Sequence, residues 1–348
     1  MDQFMALENA IYAFGKITTS LKVRRSHLKR RGRRDPITEE LLARAESIEE
    51  YAVGIAAGML KEHPAYPWFS RILGVGRENI GKCLGPIRIK PADEFICPGK
   101  KCGYFELKNG RTTPPLCPKC KTQMIDPPYA DTPSALHKFA GGAPEDGKSP
   151  KRTPGVRSSY NSRLRSMFWR LMTAMLKAGL RQKCLKCSEV VGQTTLDKKE
   201  NDGHCPRCRN DTFATIAISK FAQKYLDVKS KYIARYLNTG YKIVPASALP
   251  TDEEDKKYEP PGVISEGHIH NMAMKWTVKL FQTCLWLVWR EAEGLPLTKP
   301  YPISILGHSS FIDPWTMCDK AASREEKTSA TERATGIEKP TCQERASE

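Results

Sequence analysis

The sequence predicts a mainly α protein: a helical hairpin, a helix-hairpin-helix and a helical core, with two small β zinc ribbons inserted. Three observations predict it. Long stretches repeat apolar residues at helical spacing. Eight cysteines fall into two sets of paired knuckles. A Gly-Val-Gly turn joins two short apolar runs. The chain is expected to divide into a basic, coiled-coil-like hairpin (1–64), a helix-hairpin-helix (65–92), a first ribbon (93–126) and a central loop and helix (127–182). A second ribbon (183–212), a C-terminal helical part of the core (213–318) and a disordered tail (319–348) follow.

The hairpin begins with a helix over residues 2–28, where Phe4, Leu7, Ile11 and Phe14 share one face. Between Lys16 and Arg34 the chain carries nine Lys and Arg and no acid: Lys16, Lys22, Arg24, Arg25, Lys29, Arg30, Arg31, Arg33 and Arg34. A run without interspersed acids reads as phosphate-facing rather than as a solvated face. Asp35-Pro36 starts the second helix, Asp as cap and Pro in the first turn. It continues to about residue 62 with an apolar stripe of Leu41, Leu42, Ala45, Ile48, Tyr51, Ile55 and Leu60. These N-terminal helices are the expected surface for a homo-oligomer.

Leu73-Gly74-Val75-Gly76, then Ile80 and Leu84, has the pattern of a helix-hairpin-helix. Gly74 and Gly76 supply unusual backbone angles and close approach. Backbone N–H groups opening the second helix can hold a DNA phosphate, with Arg77 and Lys82 adding charge. An ordinary glycine turn between core helices is the alternative.

Cys97, Cys102, Cys117 and Cys120 form the first knuckle set, and Cys184, Cys187, Cys205 and Cys208 the second. A Cys-x-x-Cys turn brings two thiolates to one ion and a second turn completes a tetrahedron, so two structural Zn²⁺ ions are expected. The intervening stretches are long enough for β-hairpins. His204 is a bystander, and Cys83 and Cys284 read as buried thiols. Lys100, Lys101, Lys119, Lys186 and Arg207 beside the knuckles leave two readings open: contact with nucleic acid, or ribbons that only brace the fold.

Between the ribbons, a Gly/Pro loop (139–144) and a basic loop (147–155) feed an amphipathic helix over about 159–180. Leu164, Phe168, Leu171, Met172 and Met175 form its apolar face. Lys148, Lys151, Arg152 and Arg157 precede it, and Arg163 and Arg165 lie in its first turns, a combination suited to phosphate. Ser158 and Ser159 are placed as helix caps. A helix over 221–237, a proline-interrupted loop (245–261) with a solvated acidic cluster at 252–255, and a long helix from Ser265 to Glu293 complete the core. Met272, Trp276, Leu280, Phe281, Leu285 and Trp289 wrap most of that last helix, which makes it central. His268 and His270 point to different faces and read as structural. Residues 303–315 are expected to pack on the core.

Composition bounds the function. Lys and Arg number 56 against 39 Asp and Glu, a net charge of +17, which points to a polyanionic partner. The first residues lack the basic and apolar regions of a secretory leader. The most apolar stretch, 269–289, carries Lys275 and Lys279, so no membrane span is expected. An intracellular, cytoplasmic setting is expected, where paired cysteines bind metal more often than they form disulfides.

Gly142-Ala-Pro144, the Ser-containing basic loop, Tyr160-Asn161-Ser162-Arg163-Leu164-Arg165 and the following apolar helix resemble the C-terminal domain of the serine-dependent, RNA-guided DEDD insertion-sequence transposases. The upstream Gly-Val-Gly turn and the downstream helix at 268–280 fall in that family's order, over roughly residues 67–294, with both ribbons as insertions. The resemblance implies a DNA/RNA-binding protein of DNA transposition or recombination, with DNA and a guide RNA as partners. Its catalytic serine would be Ser149, which precedes Pro150 where the family usually has glycine; a plain loop serine is the alternative. The family's RuvC-like nuclease domain uses four acids to hold metal, yet the only acids before Asp35 are Asp2 and Glu8. That half is expected on a separate nuclease subunit, and Mg²⁺ with it. Two further readings stay open: a non-catalytic nucleic-acid-binding or assembly protein derived from a transposase, and a zinc-stabilised scaffold for a protein partner.

Overall fold

Two long antiparallel helices, α1 (Gln3–Arg30) and α2 (Pro36–Lys61), open the computed structural model. It describes residues 3–99, 102–144, 147, 149–151, 153, 158–252, 256–298 and 311–320. About half of the residues are helical, and the sheets have only two or three strands. Two units are distinguished: Met1–Tyr66 with Gly76–Asp131, and Pro67–Val75 with Thr132–Glu348.

In the first unit, Phe4, Ile11, Leu42, Ala45, Ala52, Ala56 and Leu60 are buried in the hairpin. The alanines let the helices approach closely. This overturns part of the expected stripe, because Leu41, Ile48, Tyr51 and Ile55 turn away from α1 and are exposed. The hairpin turn also differs from expectation. Asp35 stands at the N-cap position, but its carboxylate accepts from the Thr38 hydroxyl (2.6 Å) and Arg24 (3.1 Å) rather than capping a backbone N–H. Part of the basic run is neutralised across the hairpin: Lys22 meets Glu46 at 2.9 Å and Arg25 meets Glu39 at 3.7 Å. Lys29, Arg30, Arg31, Arg33 and Arg34 make no ion pair among the described residues.

The short α3 (Tyr66–Phe69) and α4 (Arg77–Leu84) flank the Gly-Val-Gly turn, and α4 buries Ile80 and Leu84. Strands β1 (Glu94–Ile96) and β2 (Phe105–Leu107) pair antiparallel around the first knuckle. The bridge Leu116↔Gln123 closes the second. The knuckles therefore sit at hairpin tips, rather than at the two ends of one hairpin.

In the second unit, α5 (Pro133–Phe139), α6 (Ser162–Gly179), α8 (Lys220–Asn238) and α9 (Glu266–Ala292) form the core. Local capping explains their starts. Thr132, Asn161, Ser219 and Ser265 each accept a backbone N–H from three residues on. Asn161 is thus the cap of α6, in place of the expected Ser158 or Ser159, and the helix begins later than the apolar periodicity implied. Phe281 of α9 lies at the centre, its ring centroid 5.3 Å from Trp68, 5.5 Å from Phe221 and 6.4 Å from Phe168. Trp276 is at the edge of exposure (36%), so α9 is central along its C-terminal half rather than all round.

A three-stranded antiparallel sheet, β4–β3–β5, grows from the end of α6: β3 (Leu180–Cys184) pairs with β4 (Val190–Val191) and β5 (Phe213–Ala217). Between the second set's knuckles lies a helical turn, α7 (Gln193–Leu196), where a hairpin was expected. A short parallel pair, β6 (Lys242–Val244) and β7 (Val263–Ser265), brackets the loop after α8; its few residues carry no usable period. Residues 253–255, 303–310 and 321–348, on which the acidic cluster, the packing segment and the tail largely fall, lie outside the described residues. Asp319, placed in the disordered tail by sequence, is instead fastened: its carboxylate accepts the N–H of Leu73 (2.6 Å) and of Lys220 (2.7 Å).

Gly74 has φ +85°, and a Cβ there would lie 2.5 Å from Met175 Cα and 2.9 Å from the Ala174 carbonyl oxygen. Its bare backbone is needed for packing on α6. Gly76 has φ −86° and open space where a Cβ would be. Gly74→Ala is therefore expected to cost roughly 2–4 kcal/mol, combining backbone strain with overpacking. Gly76→Ala should change stability by less than about 1 kcal/mol. Chemical denaturation midpoints check both; equal losses would contradict this division.

Candidate functional site

Each cysteine set converges. In both, all four Sγ atoms lie within 4.8 Å of one another. Sγ–Sγ separations are 3.2 Å for Cys97–Cys120, 3.5 Å for Cys102–Cys117, 3.5 Å for Cys184–Cys208 and 3.6 Å for Cys187–Cys205. A tetrahedron with metal–sulfur bonds of about 2.3 Å has edges of about 3.8 Å, so each set closely approaches the size such an ion requires.

The backbone explains the convergence, because all four knuckles are closed by an equivalent hydrogen bond. The first cysteine's N–H bonds to the carbonyl two residues after the second cysteine: Cys97 to Tyr104, Cys117 to Thr122, Cys184 to Glu189 and Cys205 to Asn210, at 2.8–2.9 Å. The residue directly after each second cysteine is left-handed: Gly103, Lys121, Ser188 and Arg209, with φ from 58° to 60°. Gly99 leaves no room for a side chain, since a Cβ would stand 3.2 Å from Cys120 Sγ and 3.3 Å from Cys97 Sγ.

Crowding makes the thiols unequal. The Thr122 hydroxyl and N–H bring Cys120 down to about 6, whereas burial, with the neighbouring thiols, pushes Cys97 up to about 12. A dication would stabilise all four thiolates together. The donor sets are compatible with two structural metal ions.

A different chemistry gathers around Ser149. Arg165 of α6 donates from Nη2 to Ser149 Oγ (3.2 Å), and from Nη1 to the Pro150 carbonyl (2.8 Å) and Tyr160 Oη (3.2 Å). Lys275 of α9 donates to the same Ser149 Oγ at 3.2 Å. Lys279 lies one turn further along α9, half-buried. Burial lowers the pKa of Lys275 and of Lys279; the charge of Arg165 adds to the first shift and that of Lys275 to the second. None of these three cations has an ion-pair partner among the described residues. The Gly141-Gly142 turn supports the group. Gly141, at φ +68°, packs against the Tyr160 ring, and the Asn161 N–H bonds back to the Phe139 carbonyl at 2.8 Å. The result is an exposed hydroxyl held by guanidinium and ammonium groups that, among the described residues, lack a counter-anion.

The other anticipated residues are dispersed. Lys148, Arg152 and Arg157 lie outside the described residues, Lys151 is exposed in the loop and Arg163 lies on the first turn of α6. Gly74 faces α6, as described, which corrects its expected place at a phosphate. Gly76 and Arg77 open α4, but Glu78 sits in the same turn and pairs with Lys82 at 3.3 Å, so Lys82 is not a spare cation. Lys275, Lys279 and Tyr160 were not among the anticipated binding residues. Lys275 and Lys279 had signalled only that 269–289 does not cross a membrane, although their i, i+4 spacing on an otherwise apolar helix was a visible sign of a common face.

The histidines are accounted for by neighbours: His268 Nδ1 lies 2.7 Å from Glu259 and His270 Nδ1 2.6 Å from Tyr225 Oη. Cys83 and Cys284 are fully buried, and burial raises both. The fold and site thus define a mainly helical protein with two four-thiol centres and a basic cluster around Ser149. No protein-family model, curated protein or solved structure matches the chain. Among the described residues no helix is long and apolar enough to cross a membrane.

Two outcomes follow for measurement. Elemental analysis of the purified chain should find two metal ions, falling to one in Cys117→Ser or Cys205→Ser; two ions retained in both variants would refute the four-thiol sites. His137 is held down to about 4, first by burial and then by the Lys279 charge. Its depressed folded-state value adds stability that is complete above about pH 6.5 and is lost as pH falls towards 4. Between pH 7.5 and 5 this group alone should cost about 2 kcal/mol, and His137→Gln should remove that share of the slope in urea titrations. An unchanged slope would contradict the assignment.

Proposed function

We propose that this protein is a transposase-like, DNA/RNA-binding protein that grips a phosphodiester at Ser149, Arg165, Lys275 and Lys279, with zinc in both cysteine centres. One observation carries the reading: a single exposed hydroxyl lies 3.2 Å from both a guanidinium and an ammonium nitrogen that have no acidic partner among the described residues. Two cations flanking an oxygen, in a chain of net charge +17, suit a phosphate and its charged transition state. Four soft thiolates in tetrahedral reach favour zinc over hard cations, which prefer oxygen.

For strand transfer, Ser149 Oγ attacks phosphorus and its proton passes to solvent water, while the Lys275 ammonium stabilises the developing charge. The P–O bond to the leaving strand breaks, and that oxygen takes a proton from solvent. Arg165 balances charge on the non-bridging oxygens. The acidic, Mg²⁺-binding half of such a reaction is assigned to a separate RuvC-like nuclease subunit. The outward apolar residues of α2, Leu41, Ile48 and Ile55 at seven-residue spacing, support pairing with a second copy.

A second reading, nucleic-acid binding or assembly without catalysis, is favoured by Ser149 preceding proline instead of the glycine usual in the resembling family. Both readings expect Arg165→Ala and Lys275→Ala to weaken DNA binding, each reducing the salt slope by about one phosphate contact. Only the catalytic reading expects Ser149→Ala to bind normally yet lose cleavage and strand joining when the nuclease is supplied. Unchanged salt slopes in both charge variants would remove the proposed site. In the same preparations, Ile48→Glu should give a monomer by light scattering where the parent gives a dimer; a monomeric parent would remove the pairing.

A further inference from the structure

A cleft of about 620 Å³ lies within the second unit, between the sheet of the second cysteine set and helices α6, α8 and α9. It is separate from the Ser149 cluster: its α6 residues Thr173 and Lys177 lie two to three turns beyond Arg165, about 12–18 Å along the helix. Its origin is local. Strand β3 begins where α6 ends, and Gly179 is packed against Ser219 and Ala222. The sheet and α7 thereby form a wall facing the helices.

The walls differ in chemistry. Leu176 and Met274 are buried and give an apolar floor. Lys177 and Arg181 supply positive charge at one side; Arg181 uses Nη1 on the Lys177 and Leu180 carbonyls, which fixes its guanidinium and leaves Nη2 and Nε for a ligand. Asp197 is the acid in the lining, and its Oδ1 already accepts from Gln193 Nε2 at 2.9 Å. The sheet and α7 also carry an amide and hydroxyl chain into the lining: Thr215 donates to Gln182 Oε1 and Gln182 Nε2 donates to Gln193 Oε1, both at 3.2 Å. Each of these groups lines the cleft and keeps further donor or acceptor capacity. At the back, Tyr225 Oη and His270 Nδ1 are 2.6 Å apart. An imidazole that accepts the tyrosine proton at Nδ1 presents Nε2–H as a donor.

We infer that this cleft is a binding site for one nucleoside monophosphate unit, either free or as an unstacked nucleotide of a single strand. The phosphate lies on Lys177 and Arg181, the base lies over Leu176 and Met274, and the base edge meets Gln182 and Gln193. The volume falls in the range of sites for small organic ligands, about 300–1,000 Å³. An apolar floor, amides able to donate and accept, and two cations at one edge match the face, edge and phosphate of that unit.

Fluorescence and calorimetric titrations of the full zinc-loaded chain would use the four ribonucleoside monophosphates, a five-nucleotide single strand, a blunt duplex and inorganic phosphate. Saturable binding of a monophosphate or of the single strand is expected, with phosphate alone much weaker. Binding of free nucleotide identifies a ligand site, and binding of the strand alone identifies a strand-reading site. Lys177→Ala with Arg181→Ala should weaken binding roughly ten- to a hundredfold, as for loss of charge-assisted contacts. Gln193→Ala should change the preference among bases, and Thr215→Lys, which fills an exposed wall, should block the site; metal content and circular dichroism verify folding. Arg165→Ala and Lys275→Ala should leave mononucleotide binding unchanged, so the cleft and the Ser149 site fail or stand separately. Inorganic phosphate binding as tightly as nucleotide, absence of saturation, or affinities indifferent to every cleft variant would overturn the proposal.

Discussion

The burial of Trp68 beside Phe281 governs the second unit. A buried indole needs both apolar neighbours and a partner for its N–H. Phe281 and Phe221 supply the first, and the Pro314 carbonyl, 2.7 Å from Nε1, supplies the second. Residues far apart in sequence are thereby tied to α9. Asp319 adds to the tie by holding the N–H groups of Leu73 and Lys220. With α9 fixed by its buried face, its outer face can carry lysines, and α6 is set beside it with Arg165 meeting the same loop serine.

The same constraint explains why the Gly-Val-Gly segment divides between units. Gly74 belongs to the aromatic core's surroundings and packs on α6, while Gly76 opens α4 elsewhere. A short motif shows only that glycine is required, and two different requirements satisfy it: backbone contact with another helix, or backbone contact with a ligand. Here contact with α6 accounts for Gly74. Charge shows a similar competition. The unbroken basic run of α1 has no acid in sequence, yet α2 brings Glu46 and Glu39 against it. By contrast, Lys275 and Lys279 look isolated in an apolar stretch, but Lys275 meets Arg165 at the Ser149 hydroxyl and Lys279 lies one turn further on.

What was legible in the sequence was what local chemistry determines. The cysteine sets, the Ser265 cap and the ends of α2 and α9 depend on residues within a few positions of one another, and those were read closely. The orientation of α2 was not, because its large apolar residues and its alanines both repeat helically; only the partner's need for close approach decides that the alanines face inward. The Ser149 cluster joins positions 149, 165 and 275, a combination that no single window contains. Its serine and arginine were separately visible, whereas its lysines acquire meaning only when α9 is docked. The β6–β7 pair and α7 were missed for a simpler reason: three or four residues are too few to display a period.

The four knuckles carry a consequence for assembly. Each is a small ring closed by its own backbone bonds, so each can form without the rest of the chain, on the microsecond scale of hairpins. Two sulfurs are then already side by side before any ion arrives. A metal can be captured by one knuckle in an open, two-sulfur state and carried until the other knuckle meets it. Ribbon closure then becomes an intramolecular search over a short tether, with a modest entropic cost. Folding and metal loading of these ribbons are, on this view, one process, and the rate of the second capture sets when each ribbon becomes rigid.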